Sequence, residues 1–150
     1  MKSILFVCLG NICRSPIAEG IATKIKTEYD LPIHIDSAGT SRWHIGEPPC
    51  DHAIKIALEH GIDISTLRAR TVHPKDSQRF DYIVAMDNDN RNELIARGFK
   101  NVYLIGDYGN FNGADVPDPY FFKDFEGFYK VFSMLDIAVK DFMKKEGLWD

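Results

Sequence analysis

The sequence predicts a single α/β domain built around a parallel sheet. Three observations support this prediction: four short β-rich runs alternate with helical patterns, no repeat or linker divides the chain, and a length of 150 residues leaves little room for a second domain. Hydrophobic residues make up 45% of the chain, which is enough apolar surface to form a core. We therefore expect residues 1–150 to form one domain.

The predicted strands and helices follow one another in a regular order. The first strand, residues 4–7, is continuously apolar, as expected of a strand buried on both faces. Ser15 is a good N-cap for the first helix, with Pro16 at the first helical position and Ile17, Ile21 and Ile25 on one face. The other strands are predicted at 33–37, 81–86 and 101–105, and the other helices at about 51–60, 88–97 and 124–145.

This order predicts where a ligand would bind. In open parallel α/β sheets, ligands bind beyond the carboxyl ends of the strands. Here those ends lead into segments 8–15, 38–50 and 106–123, and the last two are long loops for a compact domain, which indicates a functional role. We expect the three segments to meet at one edge of the sheet.

Charge and cysteine content exclude several classes of partner. The chain has 18 Lys and Arg against 22 Asp and Glu, a net charge of −4, so nothing favours nucleic acid or an anionic membrane, and any anion site must be local. No apolar run approaches the roughly 18 residues of a membrane span, and the apolar start is too short for a cleaved signal. Three cysteines are too few, and odd in number, for a secreted disulfide framework, which favours the reducing cytoplasm.

The segment after the first strand carries the strongest chemical signal. It reads Cys8-Leu9-Gly10-Asn11-Ile12-Cys13-Arg14-Ser15-Pro16. A strand, a glycine-containing loop and a helix start would aim backbone N–H groups at one point, which suits a dianion. Arg14 could add two parallel hydrogen bonds to the anion, and the positive field would favour a thiolate at Cys8, a nucleophile aimed at phosphorus.

Two other interpretations of these cysteines remain open at this stage. Cys8 could be a buried packing residue at the end of a strand. Cys8, Cys13, Cys50 and His52 could also be zinc ligands, although Arg14 would then place a cation beside the metal. We favour the phosphate-binding loop and expect no metal and no other cofactor.

The loop sequence, together with Val-Pro-Asp-Pro-Tyr at 116–120, resembles the low-molecular-weight protein tyrosine phosphatase family. The resemblance covers essentially the whole chain, including Asp-Ser-Ala-Gly at 36–39 and Trp-His-Ile-Gly at 43–46. It implies a three-layer α/β/α domain with a four-stranded parallel sheet of order 2-1-3-4. It also implies metal-independent hydrolysis of phosphotyrosine in proteins, and of small aryl phosphates, through a phosphocysteine intermediate. The resemblance further implies that the loop binds phosphate and other oxyanions. We expect the protein to be a monomer.

Carried over by motif position, the resemblance makes Cys8 the nucleophile, Arg14 the phosphate clamp and Asp118 the proton donor. Ser15 would hydrogen-bond the thiolate, and Asn11 would hold the strained shape of the loop with Ser37 nearby. The other expected residues of the phosphate-binding loop are Leu9, Gly10, Ile12 and Cys13.

One departure from the family pattern concerns the support of the loop. Many members of the family that this chain resembles carry His-Arg-Ala-Arg where this chain has Leu67-Arg68-Ala69-Arg70. In those members the histidine supports the asparagine of the loop. We therefore expect the support of Asn11 to be different or weaker here.

Asp118 and two aromatic residues complete the expected pocket. Asp118 lies between two prolines that stiffen it on a long loop, although an aspartate beside proline also favours a simple turn. Trp43 and Tyr120 could flank an aryl phosphate, or they could merely cover the edge of the sheet. By resemblance, family members that act on phosphoarginine tend to carry Thr at the position of Ile12, whereas a bulky aliphatic residue suits an aromatic substrate.

Two further residues, Asp87 and Cys13, have structural or regulatory interpretations. Asp87 closes the third strand and is expected to cap the next helix. Cys13 could capture an oxidised Cys8 in a reversible disulfide, or it could simply pack beneath the loop. Cys50 receives no role.

Two competing functions deserve comparison with phosphotyrosine hydrolysis. An arsenate reductase of similar fold would need further cysteines downstream to shuttle a disulfide, and the sequence has none after Cys50. A phosphate- or phosphopeptide-binding module without catalysis would fit the loop, but it would leave Cys8 and Asp118 unexplained.

Overall fold

Four parallel strands in the order β2-β1-β3-β4 form the centre of the protein. The computed structural model describes residues 1–119 and 125–150. The strands are β1 (Lys2–Cys8), β2 (Ile33–Gly39), β3 (Tyr82–Ala85) and β4 (Val102–Leu104). The helices are α1 (Arg14–Tyr29), α2 (Asp51–Glu59), α3 (Asp76–Arg79), α4 (Asn88–Ala96) and α5 (Glu126–Lys145), with a 3₁₀ turn at Ile105–Asp107. The predicted strand order is confirmed.

Helices cover both faces of the sheet, and β1 shows why its sequence is continuously apolar. Its side chains alternate between two cores: Ile4 and Phe6 pack with α1, α2 and α5, whereas Leu5 and Val7 pack with residues from α4 and its surroundings. All four of these side chains are fully buried. A strand covered on two faces has no solvent side, so it carries no polar alternation. The three-layer α/β/α arrangement is confirmed.

Two details of the predicted elements are wrong. Helix α1 begins at Arg14 with Cys13 at the N-cap position, so Ser15 is not the cap, and its hydroxyl is used elsewhere. Helix α3 was not predicted, because four residues are too few to show a helical period.

None of the helices within the described ranges is long and apolar enough to span a bilayer.

The register of the strands brings three chain segments to one edge. Cys8 at the end of β1 pairs with Gly39 at the end of β2, and Val7 pairs with Ala85 at the end of β3. Leu104 at the end of β4 pairs with Ala85 in turn. The carboxyl ends of the four strands therefore lie along one edge, and segments 8–15, 38–50 and the described part of 106–123 leave the sheet there.

Candidate active site

Segment 8–15 forms a loop between β1 and α1 whose carbonyl groups are held by the surrounding protein. The carbonyls of Cys8 and Leu9 accept hydrogen bonds from the N–H groups of Thr40 and Ser41, and the carbonyl of Ile12 accepts one from Cys50. In a trans peptide unit the N–H points opposite to the C=O. The N–H groups of the residues that follow these carbonyls therefore turn away from the 40–50 segment, toward the cavity that the loop lines.

Gly39 allows this loop to lie against the end of β2. A Cβ atom at position 39 would stand 2.8 Å from the Leu9 carbonyl oxygen and 3.2 Å from the Asn11 nitrogen. Both neighbours are backbone atoms and cannot swing aside, so any larger residue would displace the loop.

The sulfur of Cys8 is buried and lies among hydrogen-bond donors. The Ser15 hydroxyl is 3.0 Å from Cys8 Sγ, and the backbone N–H of Asn11 donates to the same sulfur over 3.2 Å. The Ser15 oxygen already accepts a hydrogen bond from Asn11 Nδ2 over 2.8 Å, which leaves the hydroxyl proton free to point at the sulfur. Two donors are therefore aimed at one sulfur.

Asn11 fixes the shape of the loop from its centre. Its φ of 57° lies in the left-handed region, which asparagine tolerates better than most residues. Its Nδ2 donates to Ser15 and to Ser37 (2.9 Å), and its Oδ1 accepts the backbone N–H of Arg70 over 3.1 Å. The predicted neighbour Ser37 is therefore in place, and a backbone N–H supplies a further support for Asn11 in a chain with Leu67 at the family's histidine position.

Glu19 anchors the far end of this network. The Ser37 hydroxyl donates to Glu19 Oε1 over 2.6 Å, so hydrogen bonds run without a break from Glu19 through Ser37, Asn11 and Ser15 to Cys8. Burial raises the pKa of Glu19 to about 7, although the hydrogen bond from Ser37 opposes this shift. A sequence signal existed, because Glu19 is the one charged residue in the otherwise apolar or small run 16–22.

Arg14 is held in place by the end of β3 and the 106–119 loop. Its Nη1 lies 2.6 Å from Asp87 Oδ2 and donates to the Val116 carbonyl over 3.0 Å. Burial disfavours the charged guanidinium, but the negative charge at Cys8 and the contact with Asp87 outweigh it and raise the pKa of Arg14. Asp87 also caps α4, as predicted, by accepting the N–H of Asn90 through its other carboxylate oxygen.

The loop that carries Asp118 is tied to the end of β3. The Val116 N–H donates to the Met86 carbonyl over 3.0 Å, and Asp115 accepts the backbone N–H of Asn88 over 2.8 Å. These contacts bring Asp118 Oδ2 to 3.9 Å from Arg14 Nη2. The carboxyl group of Asp118 and the guanidinium of Arg14 therefore face the same space.

That space is a cavity of about 460 Å³ above Cys8. It is lined by Cys8, Leu9, Gly10, Ile12, Cys13, Arg14, Trp43, His44 and Asp118. Trp43 is 73% exposed and stands at the rim, as expected of a residue that could contact a substrate. Tyr120, the other expected wall, lies outside the described residues.

His44 lines this cavity as well, although no sequence pattern predicts a partner for it. It pairs with Glu47 at 2.9 Å, and its ring carbon would meet a Cβ placed on Gly10 at 3.0 Å. Its position directly after Trp43, on a loop expected at the site, was the available signal.

Cys13 of the phosphate-binding loop and Cys50 at the start of α2 contact each other. Cys13 Sγ lies 2.8 Å from Cys50 Sγ, a contact that the sequence did not predict. The pairing of Cys13 with Cys8 stays a hypothesis. Across residues 1–119 and 125–150, no group of three or more potential metal ligands is arranged to hold an ion, so the described atoms do not form the zinc site considered above.

Comparison with known proteins identifies the family to which this site belongs. Residues 3–147 match the family model for low molecular weight phosphotyrosine protein phosphatase. The chain belongs to this family. The low molecular weight protein-tyrosine-phosphatase YfkJ of Bacillus subtilis is 46% identical over 133 residues, which cover 84% of this chain and 85% of YfkJ. The chain is therefore a phosphatase, as its named relatives are.

Solved structures of related phosphatases agree with the fold. A protein tyrosine phosphatase from Entamoeba histolytica, solved with Hepes in the active site, is 35% identical with a TM-score of 0.89, covering 98% of this chain and 99% of that one. A Drosophila arginine phosphatase is 32% identical with a TM-score of 0.88, covering 97% of this chain and 98% of that one. The solved relatives therefore include one described as a tyrosine phosphatase and one described as an arginine phosphatase.

Proposed function

We propose that this protein hydrolyses phosphotyrosine in proteins, and small aryl phosphates, through a phosphocysteine intermediate on Cys8. The observation that carries the proposal is the convergence on one cavity of a buried, hydrogen-bonded sulfur, a fixed guanidinium and a carboxyl group. Each of these three groups matches one requirement of phosphoryl transfer: a nucleophile, a stabiliser of charge and a proton donor.

In the first step the Cys8 thiolate attacks phosphorus, forming the S–P bond as the P–O bond to the phenol breaks. The Asn11 and Ser15 hydrogen bonds aim the sulfur, and the N–H groups of the loop together with Arg14 bind the equatorial oxygens. Asp118 gives its proton to the departing phenol oxygen, which is a poor leaving group as a phenolate.

In the second step water replaces the sulfur. The carboxylate of Asp118, now deprotonated, removes a proton from a water molecule as the water attacks phosphorus. The S–P bond breaks, inorganic phosphate leaves, and the Cys8 thiolate returns, still held by Ser15. None of these steps involves a metal ion.

The cavity favours an aromatic substrate over a phosphoarginine. Ile12 lines it with an aliphatic side chain, and Trp43 at the rim offers an aromatic face. Aromatic rings pack well against such groups. Arsenate reduction and binding without turnover, the two competing functions, do not fit a chain that belongs to a family of phosphatases.

The test is turnover of an aryl phosphate, a phosphotyrosine peptide and a phosphoarginine peptide, each with EDTA present and with and without vanadate. We expect EDTA-insensitive, vanadate-inhibited hydrolysis that is faster for the phosphotyrosine peptide than for the phosphoarginine peptide. Faster release from phosphoarginine would overturn the substrate assignment, and absence of turnover from all three would overturn the reaction.

We also propose that residues 1–150 act as one domain, as a monomer, in the cytoplasm. The two cores on opposite faces of a single sheet support one domain, and the three free cysteines suit a reducing compartment. Sedimentation of the purified chain tests the oligomeric state.

A further inference from the structure

Cys13 and Cys50 bring two sulfur atoms together beside the active site. Their Sγ atoms lie 2.8 Å apart, although the residues are 37 positions apart in the sequence. The adjoining backbone is already joined, because the Cys50 N–H donates to the Ile12 carbonyl over 2.9 Å. Since a disulfide bond is about 2.05 Å long, the two sulfurs need to approach by less than about 1 Å to bond.

The surroundings of the two thiols make them unequal. The hydrogen bond from the Cys13 thiol lowers the pKa of Cys50, and the Ala53 N–H in the first turn of α2 lowers it further. The same contact, together with burial, raises the pKa of Cys13. Cys50 is therefore the member of the pair that forms a thiolate more readily, and the thiolate is the form that reacts with peroxides.

We propose that Cys13 and Cys50 are a disulfide site: in the presence of a peroxide they form a bond that ties the phosphate-binding loop to the start of α2 and leaves Cys8 out. The Cys50 thiolate attacks one oxygen of hydrogen peroxide, so that an S–O bond forms, the O–O bond breaks and hydroxide leaves. Cys13 then attacks the Cys50 sulfur, the S–S bond forms, the S–O bond breaks, and the hydroxyl leaves as water with the Cys13 proton. Two thiols and one peroxide give one disulfide and two waters.

This pairing has a different consequence from a bond between Cys13 and the nucleophile. The contacts of Cys8 are to Ser15 and Asn11, and a Cys13–Cys50 bond leaves them unchanged. Oxidation at this site therefore strengthens the edge of the active site and does not consume the nucleophile. A bond that closes a loop of this length is expected to raise the melting temperature by roughly 5–10 °C.

Peptide mapping of the full-length protein separates the two pairings. The protein is treated with hydrogen peroxide with inorganic phosphate present to cover Cys8, its free thiols are alkylated, and it is digested with trypsin without reduction. Trypsin places Cys8 and Cys13 in peptide 3–14 and Cys50 in peptide 43–55. We expect the two peptides to be joined, with Cys8 alkylated. An internal disulfide in peptide 3–14 with Cys50 alkylated, or alkylation of all three cysteines, would overturn the proposal.

Two variants control the experiment. Cys50→Ser should lose the joined peptides and the rise in melting temperature while keeping its activity in reducing buffer, because Cys50 does not line the cavity. Cys8→Ser should keep both the joined peptides and the rise. Loss of the joined peptides in Cys8→Ser, or an unchanged rise in Cys50→Ser, would contradict the proposed pairing. These readouts do not use turnover, so their failure is distinct from a failure of the proposed reaction.

Discussion

Arg14 is oriented by contacts of Nη1, while its Nη2 lies 3.9 Å from Asp118 Oδ2 and the residue lines the cavity. Asp87 and the Val116 carbonyl both engage Nη1. A planar group held in this way can present two parallel donors to phosphate oxygens as charge develops on them, whereas an ammonium group is a single point charge.

Arg14→Lys should therefore lose at least about 10²-fold in kcat on an aryl phosphate, although the charge is retained. Steady-state kinetics measure this, with Arg68→Lys as the matched control, because Arg68 is exposed and bonds only to nearby carbonyls among its described contacts. Near-normal kcat in the Arg14 variant would remove Arg14 from the role of clamp.

Asp118→Asn separates a proton donor from a turn residue. Asparagine keeps the size and the turn tendency but has no proton to transfer, so the loss should depend on the leaving group. Phosphotyrosine, whose phenol has a pKa of about 10, should lose roughly 10²–10⁴-fold, and an aryl phosphate with a much more acidic phenol should lose far less in phosphorylation of Cys8. Burst and steady-state kinetics over a series of substituted phenyl phosphates measure this, and an equal loss for all of them would indicate a structural role.

Between elements, Asp87 joins the end of β3, the start of α4 and the phosphate-binding loop. One carboxylate oxygen caps α4 through the Asn90 N–H, and the other binds Arg14. The two roles of Asp87 can be separated by substitution, because asparagine is a good N-cap but carries no charge.

Asp87→Asn should lower kcat/KM by about 10-fold and should lose less stability than Asp87→Ala, since the cap survives in the asparagine variant whereas the charged contact with the buried Arg14 is lost in both. Asp87→Ala should lose both, with about 1 kcal/mol of additional destabilisation. Kinetics and urea denaturation on both variants measure the two effects separately. If Asp87→Asn loses as much stability as Asp87→Ala, the cap is not the contact that matters.

Contacts within one element could be predicted from local sequence patterns, whereas contacts between distant elements could not, except where the family resemblance implies them, as for Asn11 and Ser37. The buried strand 4–7, the glycine-containing loop and the capping role of Asp87 follow from patterns within about ten residues. The contact between Arg14 and Asp87 joins residues 73 positions apart, and that between Cys13 and Cys50 joins residues 37 apart. No local pattern encodes such distances, because they depend on how the finished sheet brings its loops together. Ser15 shows a conflict between two expectations: its residue type predicts a cap, whereas the family resemblance implies the contact with Cys8 that the structure contains.

At the scale of the whole molecule, the stability of the fold depends on pH through Glu19, which lies at the end of the hydrogen-bond network that leads to Cys8. Its pKa in the folded protein, about 7, lies above the ordinary value of 4.5. The folded state therefore binds the proton more tightly than the unfolded state, so this contribution to stability is fully present below pH 4.5 and is lost as pH rises through 7. The full loss is on the order of 3 kcal/mol.

Glu19→Gln should remove that dependence, because glutamine stays neutral and can still accept the Ser37 hydrogen bond. Urea denaturation at pH 5 and pH 8 should show a smaller decline in the free energy of unfolding for the variant than for the wild type. Glu28→Gln, an exposed position on the same helix, is the control and should behave as the wild type. An identical decline in wild type and Glu19→Gln would mean that Glu19 does not titrate in this range.

The central claim is that Cys8 carries the phosphoryl group during turnover, and a rapid denaturing quench tests it most directly. The full-length protein is mixed with an aryl phosphate, quenched within a single turnover, and mapped by mass spectrometry. The account predicts one phosphoryl group on Cys8 in the wild type and none in Cys8→Ser, whose hydroxyl is hardly ionised at neutral pH. Turnover without a phosphorylated cysteine, or a phosphoryl group on another residue, would contradict it.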